Sequence, residues 1–276
     1  MTIVEKPMTT WANPEVTALA FCWRIDRSDG VTVGFTSADR DLSVGGLDYR
    51  ARPGMLPSAV RLSETFDVDT LDVSGAIDDA AISAGDLAAG RWDGARVRLY
   101  AVDRGHPDDA PMLIARGRLG DVEQQDRGFT AELRGVTAVL ERPVIEQTSP
   151  ECRAELGDRR CRVAMAGRRR MVRVVEAVDA TNVRIDGDAG GAEFGRIDWF
   201  TGANSGLTAN VRTGAGDMLS LFEAPAFALA VGDMGELIEG CDKGFATCRD
   251  RFGNAANFRG EPHLPGNDLL LRYAQG

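Results

Sequence analysis

Four of the five cysteines in this chain fall into two pairs, C-x8-C at Cys152/Cys161 and C-x6-C at Cys241/Cys248, in the polar, glycine-bearing stretches CRAELGDRRC and CDKGFATC. Paired thiolates are soft ligands for metals, and a cytosolic origin disfavours structural disulfides. Zinc ribbons and knuckles grip one ion from a tight C-x2-C turn. The wider loops here suit a larger object, a [4Fe–4S] cube held by one thiolate per iron, with zinc, two late-forming disulfides or unligated thiols as alternatives. Arg153, Arg159, Arg160, Arg162, Lys243, Arg249 and Arg251 crowd the same segments. Cations there are expected to compensate a negatively charged cluster and to lower thiol pKa values. The fifth cysteine, Cys22, lies on the small-residue face of a strand and reads as a core filler.

Other residues capable of chemistry give weaker signals. His106 and His263 are far apart in the chain, which leaves little room for a histidine triad or a two-histidine zinc site, and no nucleophile stands beside His263. The run Arg168-Arg169-Arg170 with Arg173 has no aromatic stacking platform; it suits a solvated face, a subunit contact or compensation of the cluster. Asp67, Asp69 and Asp72 resemble a calcium run but lack the loop glycine, and read as the solvent face of a strand.

The elements that must carry these groups are strands. From Thr17 to Ile25 the positions Leu19, Phe21, Trp23 and Ile25 alternate with Ala18, Ala20, Cys22 and Arg24, a period of two. Asp29-Gly30 and Gly45-Gly46 supply hairpin turns. Phe66, Val68, Thr70 and Leu71 suggest another strand, as do Val97 to Val102, and Ser83 caps a short helix that stops at Gly90. Long amphipathic helices are scarce, so the fold class is mainly β. An internal echo adds to this: Gly117-Arg-Leu and Gly128-Phe-Thr-Ala-Glu-Leu-Arg recur at the same spacing as Gly195-Arg-Ile and Gly206-Leu-Thr-Ala-Asn-Val-Arg. Each copy reads as a hairpin, either by convergence or because two related β-modules share the chain.

Length sets a prior of about two domains. The chain has 276 residues, 43% of them apolar, and 32 basic against 42 acidic side chains give a formal charge of −10. That balance argues against an autonomous nucleic-acid binder. No stretch approaches the roughly 18 apolar residues of a membrane span, and residues 1–16 lack a secretory pattern. The expectation is a soluble protein made in the cytoplasm, with no membrane insertion.

The segment Gly240-Cys241-Asp242-Lys243 through Thr247-Cys248, then Phe252-Gly253-Asn254, Asn257-Phe258-Arg259-Gly260-Glu261-Pro262 and Leu264-Pro265-Gly266-Asn267-Asp268, resembles the C-terminal signature of phage tail-tip hub proteins. These occur in siphophage-like particles and in gene transfer agents. The Ser83-Ala84-Gly85-Asp86-Leu87 region and Gly117 to Arg134 are similar to the same family, so the resemblance spans most of the chain. It implies two tube-like β-sandwich or barrel modules with an Fe–S-binding C-terminal region, divided as an N-terminal hub domain at 1–150, a second module with the first cysteine pair at 151–240, and a docking segment with the second pair at 241–276. It implies a homotrimer at the virion tail tip, a distal tail protein hexamer above, a large megatron-like tip or fibre protein below, and DNA passing through the lumen without specific binding. Related minor tail proteins carry a [4Fe–4S] cluster on four cysteines, which map onto Cys152, Cys161, Cys241 and Cys248. A departure is the insert between the pairs, residues 162–240. The expected role is structural and not enzymatic; an iron–sulfur or cell-wall-degrading enzyme and a carbohydrate-binding tip module are the alternatives. An acidic lumen would keep DNA from adhering to the wall.

Overall fold

The computed structural model describes residues 19–51, 55–57, 70–76, 82–107, 109–125, 128–135 and 145–264. The chain divides into two compact units, Met1–Val144 and Ile145–Gly276.

The first unit is an open sheet. Its strands are β1 (Leu19–Asp26), β2 (Thr32–Thr36), β3 (Leu42–Val44), β4 (Leu47–Arg50), β5 (Met55–Pro57), β6 (Thr70–Ala76), β7 (Arg96–Asp103), β8 (Met112–Gln125) and β9 (Gly128–Arg134). They lie in the order β3-β4-β2-β1-β7-β8-β9-β6-β5. The alternation read from β1 holds, but both of its faces are covered. Trp23 and Ile25 pack with Phe35, Trp92, Val97 and Leu99, while Ala20 and Cys22 pack with Tyr49, Tyr100 and Val102. Small residues on the second face leave room for the two tyrosine rings. Leu19 and Phe21, nearer the strand's start, stay partly exposed.

Local turn chemistry accounts for the joints. Gly45 and Gly46 have φ of 58° and 77° and link Val44 to its cross-strand partner Leu47, the two-residue turn that needs left-handed backbone at both positions. Helix α1 (Ala84–Ala88) starts where the Ser83 hydroxyl accepts the Asp86 N–H at 3.0 Å, the expected cap. Phe66, Val68, Asp67 and Asp69 lie outside the described residues, whereas Thr70, Leu71 and Asp72 belong to β6.

The second unit is a closed barrel of β10 (Arg169–Ala177), β11 (Asn182–Ile185), β12 (Arg196–Trp199), β13 (Thr208–Ala215), β14 (Met218–Leu221) and β15 (Met234–Ile238). The ring runs β10-β11-β14-β13-β12-β15 and closes because β15 pairs with both β12 and β10. Val172, Val174, Val183, Ile185, Ile197, Trp199, Val211, Leu219, Leu221 and Leu237 fill its interior. Alternate residues of each strand point inward, so a small barrel of this kind is packed solid. After the barrel comes one short helix, α2 (Phe245–Asp250).

Both copies of the sequence echo are antiparallel hairpins, β8–β9 and β12–β13. Their registers differ, however: Leu119 faces Leu133 in the first, whereas Ile197 faces Ala209 in the second, two residues short of the equivalent Val211. One hairpin belongs to an open sheet and the other to a closed barrel. The shared string thus encodes a local element that two different architectures use.

Candidate metal centre

Barrel closure brings the two cysteine pairs together. Cys152 and Cys161 precede β10, Cys241 and Cys248 follow β15, and these two strands run antiparallel with Arg169 opposite Ile238. The chain entering the barrel therefore meets the chain leaving it, whatever the length of the insert between the pairs.

Backbone pairing then extends this contact past the barrel. Glu239 N–H donates to Arg168 O at 3.0 Å, Cys152 N–H to Lys243 O at 2.9 Å, and Arg153 N–H to Arg259 O at 3.1 Å. Farther out, Ser149 and Glu261 exchange two bonds: Glu261 N–H to Ser149 O at 2.8 Å, and Ser149 N–H to the Glu261 carboxylate at 2.9 Å. The Arg153 guanidinium clasps the same carboxylate through two bonds of 2.7 and 2.9 Å. That fork and the Ser149 amide pull the Glu261 pKa down to about 2. Two glycines permit the close approach. A Cβ at Gly240 would sit 2.1 Å from Glu193 O, and one at Gly260 would sit 2.5 Å from Glu151 O.

Local backbone structure holds the cysteines. The Asp158 carboxylate accepts the N–H groups of Cys161 at 2.6 Å, Arg160 at 2.8 Å and Glu155 at 3.0 Å, which folds the first loop into a tight cup and depresses the carboxyl pKa. Arg162 and Lys243, the residues just beyond Cys161 and Cys241, both adopt left-handed backbone, with φ of 63° and 62°. Cys248 sits on α2. Cys161 and Cys248 are buried, while Cys152 and Cys241 are partly exposed.

The four thiols share one neighbourhood and none is in a disulfide. Burial pushes the Cys248 pKa up, and the charges that Cys152, Cys161 and Cys241 would carry push it further. Cys241 is raised by burial first; the Lys243 N–H and ammonium oppose this, while Asp242 and Cys152 add to it. The expected lowering by surrounding cations is thus outweighed by burial at Cys241 and Cys248, and several of those cations are engaged by other partners. Arg153 and Arg160 both pair with Glu146, Arg160 also donates to Arg153 O at 2.6 Å, and Arg249 pairs with Asp250 at 2.6 Å. Lys243 reaches Ala154 O at 2.7 Å and Glu155 at 2.9 Å, and Arg251 reaches Glu239 at 3.1 Å. They stitch the loops together rather than face the sulfurs.

Four thiols are the donor type that soft metal and iron–sulfur centres take. Four thiolates brought together, two of them at buried cysteines, are unfavourable until a positive core offsets them. N–H groups also approach the sulfurs: Arg259 N–H stands 3.4 Å from Cys152 Sγ and Asn254 Nδ2 3.7 Å from Cys161 Sγ. Among the described residues, no group of three or more His, Cys, Asp or Glu side chains is arranged to hold a metal ion. A cube takes one thiolate per iron and so spreads its ligands more widely than a single ion does.

The remaining candidates lie elsewhere. His106 is exposed, with Nδ1 3.2 Å from Asp103, and His263 is exposed. Arg168 bonds Glu239 at 2.7 Å and covers the Phe252 ring, Arg169 reaches Glu236 at 3.4 Å, and Arg170 donates to Gly190 O at 2.6 Å. The arginine run thus anchors β10 within its own unit. No helix among the described residues is long and apolar enough to cross a membrane. Sequence reasoning named Asn254 only within the tail-tip signature, with no role, although it touches two of the cysteine loops, and it missed Asp158; an aspartate three residues before a cysteine was the available signal for the latter.

Residues 5–164 match the family model described as "Baseplate hub protein, N-terminal attachment domain", and residues 191–268 match "Phage conserved hypothetical protein BR0599". The first cysteine pair falls in one match and the second in the other. Among solved structures, a chain of "Virion of native gene transfer agent (GTA) particle" is 34% identical, with a TM-score of 0.84 over 96% of this chain and 95% of that one. A comparison with curated proteins gave no match.

Proposed function

Because this chain belongs to the baseplate hub protein family, we propose that it joins the distal end of a tail tube to the larger tip component below, leaving a channel for DNA. It is a structural protein of the tail tip of a gene transfer agent particle. The carrying observation is end-to-end likeness to a chain of such a virion, with almost the whole of each protein covered. In this reading the hub is non-enzymatic, assembles as a homotrimer from its tube-like β-modules, meets a hexameric tube protein on one side and a megatron-like tip or fibre protein on the other. DNA passes through without specific contacts. Deleting the gene from a producing strain should yield capsids and tubes without tips, with gene transfer reduced to background and restored by the wild-type gene. Normal tips on the deletion particles would overturn the proposal.

Within the second unit, Cys152, Cys161, Cys241 and Cys248 would hold a [4Fe–4S] cluster. The support is the shared neighbourhood of the four thiols, the raised pKa of Cys241 and Cys248, and the N–H donors beside Cys152 and Cys161. When bound, such a cluster supplies a four-point cross-link between the chain entering the barrel and the chain leaving it. The thiolates of Cys161 and Cys248 would ligate from buried positions, those of Cys152 and Cys241 from the rim. Protein purified without oxygen should be brown, with about four irons per chain; colourless protein with one zinc per chain would refute the cluster.

A further inference from the structure

We infer that Asn254 is a positioning residue that couples the two ligand pairs and sets the reduction potential and iron retention of the cluster proposed above, an inference that rests on that reading. It follows α2 directly. Gly253, with φ of 58°, turns the chain back, so that Asn254 N–H donates to Cys248 O at 2.9 Å. The Cys248 thiol in turn donates to Asn254 O at 3.4 Å. The side chain reaches the other pair: Nδ2 donates to Cys161 O at 2.6 Å and stands 3.7 Å from Cys161 Sγ. Asn257 Nδ2 donates to Asn254 Oδ1 at 2.7 Å, which fixes the amide with its NH2 group toward Cys161. One residue thus holds a backbone carbonyl from each pair and approaches a sulfur from each.

Chemistry explains why an amide suits this position. When Cys248 gives up its proton to become a ligand, its bond to Asn254 O disappears. The amide N–H beside Cys161 acts in the opposite sense, because a hydrogen bond strengthens as its acceptor becomes anionic. A donor at a ligand sulfur favours the more reduced, more negative state of a cluster, and so raises its potential. Asparagine offers two N–H donors and one acceptor in one plane, enough to address Cys161 O, Cys161 Sγ and Asn257 together. Aspartate has the same shape but would place a negative oxygen against the thiolate.

The test uses the full chain, purified without oxygen and carrying its cluster. Wild type, Asn254→Asp and Asn257→Ala are compared for iron release to a ferrous chelator and for midpoint potential, followed by the electron spin resonance signal during dithionite titration. Asn254→Asp should release iron about tenfold or more faster, in keeping with the loss of an outer hydrogen bond, and its midpoint should move to more negative values. Asn257→Ala, which frees the amide to rotate, should shift both readings in the same direction by less. A lowered melting temperature with unchanged midpoint in both variants would reduce Asn254 to a structural turn and overturn the inference. Should Asn254→Asp fail to fold, unchanged midpoint and release rate in Asn257→Ala would overturn it equally. A wild-type protein that never holds iron would instead remove the cluster itself.

Discussion

Tyr49 shows how little of a buried polar group's cost can be read from residue type. It is fully buried against Cys22 and Tyr100, and among the described residues its hydroxyl has no hydrogen-bond partner. Burial raises the phenol pKa well above its ordinary value. A buried, unpaired hydroxyl costs about 1–3 kcal/mol, so removing it relieves a penalty instead of breaking a bond. Tyr49→Phe should leave the urea midpoint unchanged or higher; a clear fall would mean that the hydroxyl has a partner. The thiols teach the same lesson. Their pairing was legible from spacing, but the direction of the Cys241 and Cys248 pKa shifts was not. Seven basic residues nearby suggested lowered values, and only the folded loops reveal that burial of Cys241 and Cys248 prevails while carboxylates and carbonyls engage several of those cations. Asn254 was equally silent, since nothing in a lone asparagine after Phe252-Gly253 announces two cysteines from distant segments.

The elements divide by the range of the forces that make them. Hairpins and caps were legible because their causes are local: the glycines at 45 and 46, the Ser83 hydroxyl, the alternation along β1. The pairing of β10 with β15 joins residues about 65 apart, and no short-range pattern encodes it. Nor did the string shared by β8–β9 and β12–β13 disclose that one pair would sit in an open sheet and the other in a ring. The loop carrying Cys152 is pinned to the tail by the Glu261–Arg153 clasp, and this contact has a pH signature. The Glu261 carboxyl titrates near 2 when folded, below the usual glutamate value of about 4.3. Its contribution is complete above about pH 4.3 and falls away as the pH drops toward 2. The protection of the Ser149 and Glu261 amides, relative to free-peptide exchange at the same pH, should therefore fall in that window for the wild type. Glu261→Gln should show low protection already at neutral pH and little further loss on acidification.

For the molecule as a whole, composition set bounds without naming a role. The formal charge of −10 argued against an autonomous nucleic-acid binder, and a tail-tip component is consistent with that. The proposed ring is testable by mass: native mass spectrometry of the hub with its tail partners should find three copies, and a persistent monomer in their presence would refute it. The division into two units also has a consequence in time. The first and last strands of the barrel are neighbours, so the ring cannot close until Ile238 has left the ribosome, and the cysteine loops cannot meet until Cys248 has followed. Every strand of the first unit precedes residue 145, so that sheet can form while the barrel is still being translated. Loading of the proposed cluster would therefore wait until Cys248 has emerged.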